Sequence, residues 1–205
     1  MQKGISNSII LDRDVKEVSA GKLSHILSDC YINSYKIDNL TTNELEKILY
    51  DDILSFYGIE ELEYREDTID GKKLRNVNGR ELHRLLGYEN SVTPKFILYK
   101  FNDKLYKIVG SPDRVNEKSS ENELVVEELK TYKNKRNRIP QMIKGIFQLA
   151  YYSYIYQTEE GILVMIDLNK GTKETFYFNF PYYAQSRTLE DGLSIYDLLF
   201  LLKQT

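Results

Sequence analysis

The stretch from Lys95 to Phe180 constrains the fold most, because strands and one long helix follow each other there with clear turn signals between them. Lys95–Phe101 and Leu105–Gly110 read as strands joined at Asn102-Asp103, a hairpin signal. Leu124–Thr131 reads as a third strand. Pro140 suits the first turn of a helix running to about Gln157, where its missing N–H would be unpaired anyway. Gly161–Leu168 and Thr172–Phe180 then pair across Asn169-Lys170-Gly171 as a second hairpin. Hairpin, strand, helix, hairpin is the order of an α/β domain, with a central mixed β-sheet flanked by helices.

The flanking segments read as mostly helical. Ser19 is placed to cap a helix to about Tyr35 with Leu23, Ile26, Leu27 and Cys30 on one face. Thr41 and Glu44 form a capping-box pattern before Leu45, Ile48, Leu49, Ile53 and Phe56, and Gly58 ends that helix. Residues 60–78 are polar and charged and read as a loop or exposed insert. A short helix from about Gly79 to Leu86 carries His83, and a closing helix is predicted from about Thr188 to Lys203. With no internal repeat, linker or low-complexity tract, residues 1–205 read as a single domain. Its N-terminal helical segment, about 1–78, is expected to pack on the core.

Composition limits the function classes. A hydrophobic fraction of 41% and a charged fraction of 29% are ordinary for a soluble globular domain. No apolar run reaches the roughly 20 residues needed to span a bilayer, and Met1 to Leu11 lacks a basic start followed by an apolar core. A cytoplasmic location without membrane partners is therefore expected. The formal net charge of −3 argues against a protein that merely coats nucleic acid, but it suits an enzyme whose acids hold cations beside a local basic patch. One cysteine, Cys30, excludes an internal disulfide and a cysteine-based zinc site.

Chemistry concentrates between Gly110 and Tyr152. Strand alternation puts Val126, Glu128 and Lys130 on one face and Glu127 and Leu129 on the other. Asp113 follows the previous strand, where Gly110 and Pro112 can turn the backbone toward the Glu128 face. Two carboxylates with a carbonyl and waters are an oxygen shell suited to Mg²⁺ or Mn²⁺. Such an ion polarises a phosphoryl oxygen and lowers the pKa of bound water, and Lys130 is placed to orient that water. A surface strand with scattered charges would show the same three residues. Gln148 and Tyr152, four apart, share a helix face that Gln141 and Lys144 extend. Read alone, they are polar helix-edge residues. Lys133, Lys135, Arg136 and Arg138 pack four cations into the loop after the strand, for phosphate contact or simply as a solvated loop. Tyr132, Tyr182 and Tyr183 are candidates for base stacking, or for core packing.

In this order the pieces resemble the RecB-like branch of the PD-(D/E)XK nucleases, including CRISPR-associated RecB-type exonucleases and small archaeal-virus relatives. Gly110-Ser111-Pro112-Asp113 is similar to their G-x-x-D motif, Glu128-Leu129-Lys130 to their E-x-K motif, and Gln148 with Tyr152 to their Q-x-x-x-Y signature. Gly79 through His83 resembles their G-x-x-x-H segment, and Val18 through Tyr31 their opening helix. The resemblance covers most of residues 18–180 and implies a restriction-endonuclease-like core. It implies a divalent-metal-dependent nuclease acting on single-stranded DNA, with His83, Asp113, Glu128 and the Leu129 carbonyl as metal ligands. Lys130 would activate water, and Gln148 and Tyr152 would position water or strand. A junction resolvase, needing a homodimer, and a catalytically silent nucleic-acid-binding or assembly protein on the same fold are the alternatives. The relatives' iron–sulfur cluster needs three cysteines near the C-terminus. Pro181–Thr205 has none, so no cluster is expected and Cys30 is assigned to apolar packing.

Overall fold

Two β-sheets and the helices packed on them make up the described part of the chain. In the computed structural model, residues 15–34, 42–69, 79–88, 92–118 and 123–203 are described. The described elements are β1 (Val15–Ser19), α1 (Ala20–Ser34), α2 (Thr42–Tyr57), β2 (Glu60–Thr68), α3 (Gly79–Leu85), β3 (Lys95–Phe101) and β4 (Lys104–Gly110). They continue with β5 (Arg114–Glu117), β6 (Leu124–Tyr132), α4 (Arg138–Tyr156), β7 (Glu160–Asp167), β8 (Thr172–Asn179) and α5 (Tyr182–Leu202). The fold is α/β.

The expected mixed β-structure flanked by helices is present, built as two sheets among the described residues. One sheet has the order β1-β4-β3 and the other β2-β8-β7-β6-β5. Both are mixed: β1 runs parallel to β4, and β6 parallel to β7, while the remaining pairs are antiparallel. The division falls at Ser111–Asp113, between the end of β4 and the start of β5. Pro112 has no N–H to give to a ladder, so strand pairing stops there.

Both predicted hairpins form. Asn102 and Asp103 sit at φ 46° and 60°, the left-handed pair that a two-residue turn of matching twist requires. The β7–β8 hairpin turns through Leu168–Gly171. Ser19 caps α1 through a 3.1 Å bond from the Lys22 N–H to its hydroxyl. The expected capping residue Thr41 lies outside the described residues.

Other expectations need correction. Residues 60–68 are not a loop but β2, an edge strand laddered to β8 from Glu60↔Asn179 to Thr68↔Thr172. The backbone ladder supplies pairing that its polar side chains do not signal, and a charged edge discourages pairing with other chains. With β1 and β2 in it, the N-terminal segment is not purely helical. The closing helix starts at Tyr182, because Pro181 precedes its first turn and the exposed Tyr182 and Tyr183 carry no apolar periodicity.

The main core lies between α4 and the sheets. Ile143, Ile146, Phe147, Leu149 and Ala150 of α4 are fully enclosed, with Leu163, Met165 and Phe178 from the larger sheet and Ile108 from β4. A second, smaller cluster on the opposite face of that sheet joins Leu82 of α3 to Leu129, Val164, Ile166 and Leu168. The larger sheet is therefore covered by α4 on one side and α3 on the other, while α1 and α5 pack on α4. Gly145 makes the α4 approach possible, since a Cβ there would stand 2.5 Å from Leu163 Cδ1 and 3.4 Å from Lys130 Cγ. The same closeness fixes Lys130 against the helix.

Candidate active site

β6 divides its charges by alternation, as its sequence predicts. Val126 joins the main core under α4, whereas Leu129 joins the α3 cluster, so Glu128 and Lys130 face α4 and Glu127 faces α3. Glu128 and Lys130 are 4% and 9% exposed, and the ammonium donates directly to Glu128 Oε1. Burial pushes the Glu128 carboxyl up to about 7; Lys130 opposes that rise and the nearby Asp113 charge adds to it.

Asp113 sits at the corner between the two sheets. The β5–β6 ladder ends at Arg114↔Glu127, and extending it would set Pro112 opposite Leu129. The Asp113 side chain fills that gap, with Oδ2 accepting the Leu129 N–H at 2.8 Å. A strand residue directs its N–H and C=O to the same edge. The Leu129 carbonyl thus opens toward Asp113, as a carbonyl ligand would have to. His83 approaches from α3, its Nδ1 3.5 Å from Asp113 Oδ1, and its side chain is 36% exposed. Tyr88, which follows α3, donates to Glu127, and Asn116 donates to the same carboxylate at 3.0 Å. Glu127 is thereby an anchor for the α3 end that carries His83.

The opposite wall is α4. Gln148 Nε2 donates to the Tyr152 hydroxyl at 3.1 Å, and both residues are buried. Burial raises the Tyr152 pKa, and the Glu128 charge adds to the rise, so the phenol stays protonated and close to that carboxylate. Gly110 seats the Tyr152 ring, because a Cβ there would lie 2.9 Å from Cδ1. Gln148 Oε1 is enclosed with no hydrogen-bond partner among the described residues. An orphaned buried acceptor in a site is unusual and marks a place for a donor such as water.

Lys144, one turn before Gln148, also faces the site and feels the charges of Lys130 and Glu128. Its ammonium lies 2.5 Å from His25 Nε2 on α1. The sequence showed Lys144 on the Gln148 stripe. It gave no signal for His25, whose place depends on how α1 packs on α4.

Three expected roles change. Arg138 is half-buried and bidentate to Glu174 at 2.6 and 3.0 Å, with Glu46 at 3.6 Å, so it belongs to a structural ion-pair cluster rather than to the phosphate-contact loop. Tyr132 is buried and donates to Glu174 at 3.0 Å, which removes it from base stacking. Cys30 is exposed rather than packed, because α1 buries Ala20, Leu23, Ser24, Leu27 and Ser28, and the two small serines occupy the turns where apolar residues were expected. Lys133, Lys135 and Arg136 are exposed in the loop between β6 and α4, as are Tyr182 and Tyr183 on α5.

Asp113, Glu128 and the Leu129 carbonyl are hard oxygen donors of the kind Mg²⁺ and Mn²⁺ take, and the partnerless Gln148 oxygen is compatible with a water in an ion's outer shell. Among the described residues no group of three or more His, Cys, Asp or Glu side chains is arranged to hold a metal ion. Any ion here would complete its shell with water, as Mg²⁺ usually does. Among the described residues no helix is long and apolar enough to cross a membrane.

No protein-family model matches the chain, and no curated protein matches it. One solved structure, described as "Crystal structure of SSO0001", is similar to this chain with a TM-score of 0.48 and 20% identity, over 92% of this chain and 80% of the other.

Proposed function

We propose that the protein is a divalent-metal-dependent deoxyribonuclease that hydrolyses phosphodiester bonds, with single-stranded DNA as its preferred substrate. The observation that carries the reading is the convergence of Asp113, Glu128 and Lys130 at one corner, with Lys130 and Glu128 buried and paired and Asp113 fastened to the backbone between them. A surface strand with scattered charges would leave these groups in water. Asp113, Glu128 and the Leu129 carbonyl would hold Mg²⁺ or Mn²⁺, with His83 beside them. When bound, such an ion supplies a polarised phosphoryl oxygen and a more acidic water.

Lys130 orients that water and offsets charge that builds on the phosphoryl oxygens. Its amine is fixed by the Glu128 contact and by the Gly145 approach, so little reorganisation is needed at the moment of reaction. Gln148 and Tyr152 position water or strand along the α4 wall, and Gln148 Oε1 offers the acceptor. Lys133, Lys135 and Arg136 contact phosphates outside the site. Incubating single strands, duplexes and four-way junctions, labelled at either end, with Mg²⁺ and with EDTA tests the reading. Metal-dependent cutting of the single strand supports it. Cutting of the junction alone would favour a dimeric resolvase, and binding without cutting a silent relative.

A further inference from the structure

A cation outside the Asp113, Glu128 and Lys130 set stands at the same site and, among the described residues, makes no ion pair of its own. Lys144 lies on the α4 face that carries Gln148, half-buried, and is close enough to Lys130 for the two charges to oppose each other. Glu128, a candidate counter-charge within electrostatic range, is already paired with Lys130. Asp29 is also within electrostatic range but exposed, where solvent screens it. Among the described residues the partner of the Lys144 ammonium is a histidine, His25, whose Nε2 lies 2.5 Å away. An ammonium has three donors, and an imidazole lone pair occupies one and fixes the direction of the others. A half-buried ammonium within electrostatic range of the buried Lys130 is repelled by it, an arrangement that costs free energy unless an anion joins them.

We propose that Lys144, oriented by His25, is a phosphate-binding residue at the mouth of the site, taking a non-bridging oxygen of a backbone phosphate on a single DNA strand next to the one being cut. The inference rests on the nuclease reading for its substrate, but not for its test. Lys144 binds and His25 positions it; neither takes part in bond breaking. An internal phosphate and a terminal one share this chemistry, and strands with and without a 5′-phosphate distinguish them.

The test is metal-free binding of a fluorescent single-stranded oligonucleotide in EDTA, measured by anisotropy across a salt series. Lys144→Met keeps the aliphatic stem and should weaken binding roughly tenfold, as expected for one charge-assisted hydrogen bond. It should also reduce the slope of log affinity against log salt by about 0.7, one phosphate contact on a single strand. Lys144→Arg should restore the slope. His25→Leu should weaken binding and leave the slope intact, because the charge stays while its direction is lost. An unchanged slope in Lys144→Met, or no binding of the unmodified protein to the strand without metal, overturns the inference. Binding that follows these expectations without hydrolysis in Mg²⁺ would instead sink the nuclease reading and leave the phosphate contact standing.

Discussion

Asp113 is fastened to β6 by the Leu129 N–H, 2.8 Å from its Oδ2, at the position where Pro112 has ended the β5 ladder. That bond sets the carboxylate close to Glu128 and Lys130, the neighbours of Leu129 on the strand. The acid is therefore held by backbone geometry before any ion is considered. Asp113→Asn keeps an oxygen that can accept the Leu129 N–H and loses only the charge. It should melt like the unmodified protein and cut at least about a hundredfold more slowly, whereas Asp113→Ala should in addition lose about 1–2 kcal/mol by leaving the N–H without its acceptor. Thermal melts beside cleavage rates separate the two.

Glu128 links stability to pH in a direction opposite to most carboxylates. Its carboxyl is raised from 4.5 to about 7, chiefly by burial, so between those values the folded protein binds a proton that the unfolded chain has released. The stabilisation is fully present below pH 4.5 and is lost as pH rises through about 7. The loss is on the order of 3 kcal/mol for that shift in so buried a group. In EDTA the melting temperature should fall over this window, apart from contributions of other groups, and Glu128→Gln should flatten the fall. Saturating Mg²⁺ should flatten it too, since the ion competes with the proton.

The residues of this corner were legible because each obeys a local rule. Alternation along β6 separates Glu128 and Lys130 from Glu127 and Leu129 whatever the partners of the strand, and Asn102-Asp103 can turn only one way. What could not be read depends on partners distant in sequence. β2 carries Glu60, Glu61, Glu63, Glu66 and Asp67 and becomes a strand only because β8 offers an edge. β5 is four residues long, too short for a pattern, and β1 is a strand by pairing with β4. Cys30 and His25 depend on the rotation of α1 about its axis, which Ser24 and Ser28 set by entering the core where larger residues were expected.

The four basic residues after β6 should divide in experiment as they do in space. Arg138→Met should destabilise the fold by about 3 kcal/mol, since the buried Glu174 would lose its cationic partner and keep only hydroxyl donors such as Tyr132, and it should leave the salt dependence of DNA binding unchanged. Neutralising Lys133, Lys135 and Arg136 together should do the reverse. The fold should keep its stability, and the salt slope should shrink by about 0.7 for each phosphate that these side chains no longer neutralise. Denaturant titration and binding isotherms on both variants check this. A destabilised loop variant would mean that those side chains also hold structure.

Cys30 should react in the folded protein. Its exposed position on α1 predicts that one equivalent of a thiol reagent labels each chain without denaturant, at a rate close to that of the unfolded chain. Cleavage by the labelled protein should be unaffected, as nothing places this thiol in the site. Slow labelling that needs unfolding would restore the packed cysteine expected from sequence.

The most direct test of the central claim is the single-turnover cleavage rate of a 5′-labelled single strand in Mg²⁺, compared between the unmodified protein and Glu128→Gln. The nearly isosteric amide keeps the shape of the site and removes its charge. The unmodified protein should cut and EDTA should abolish the cutting, and the rate for Glu128→Gln should be lower by at least about a hundredfold with strand binding in EDTA little changed. Equal rates in the two proteins, or cutting that persists in EDTA, would contradict that claim.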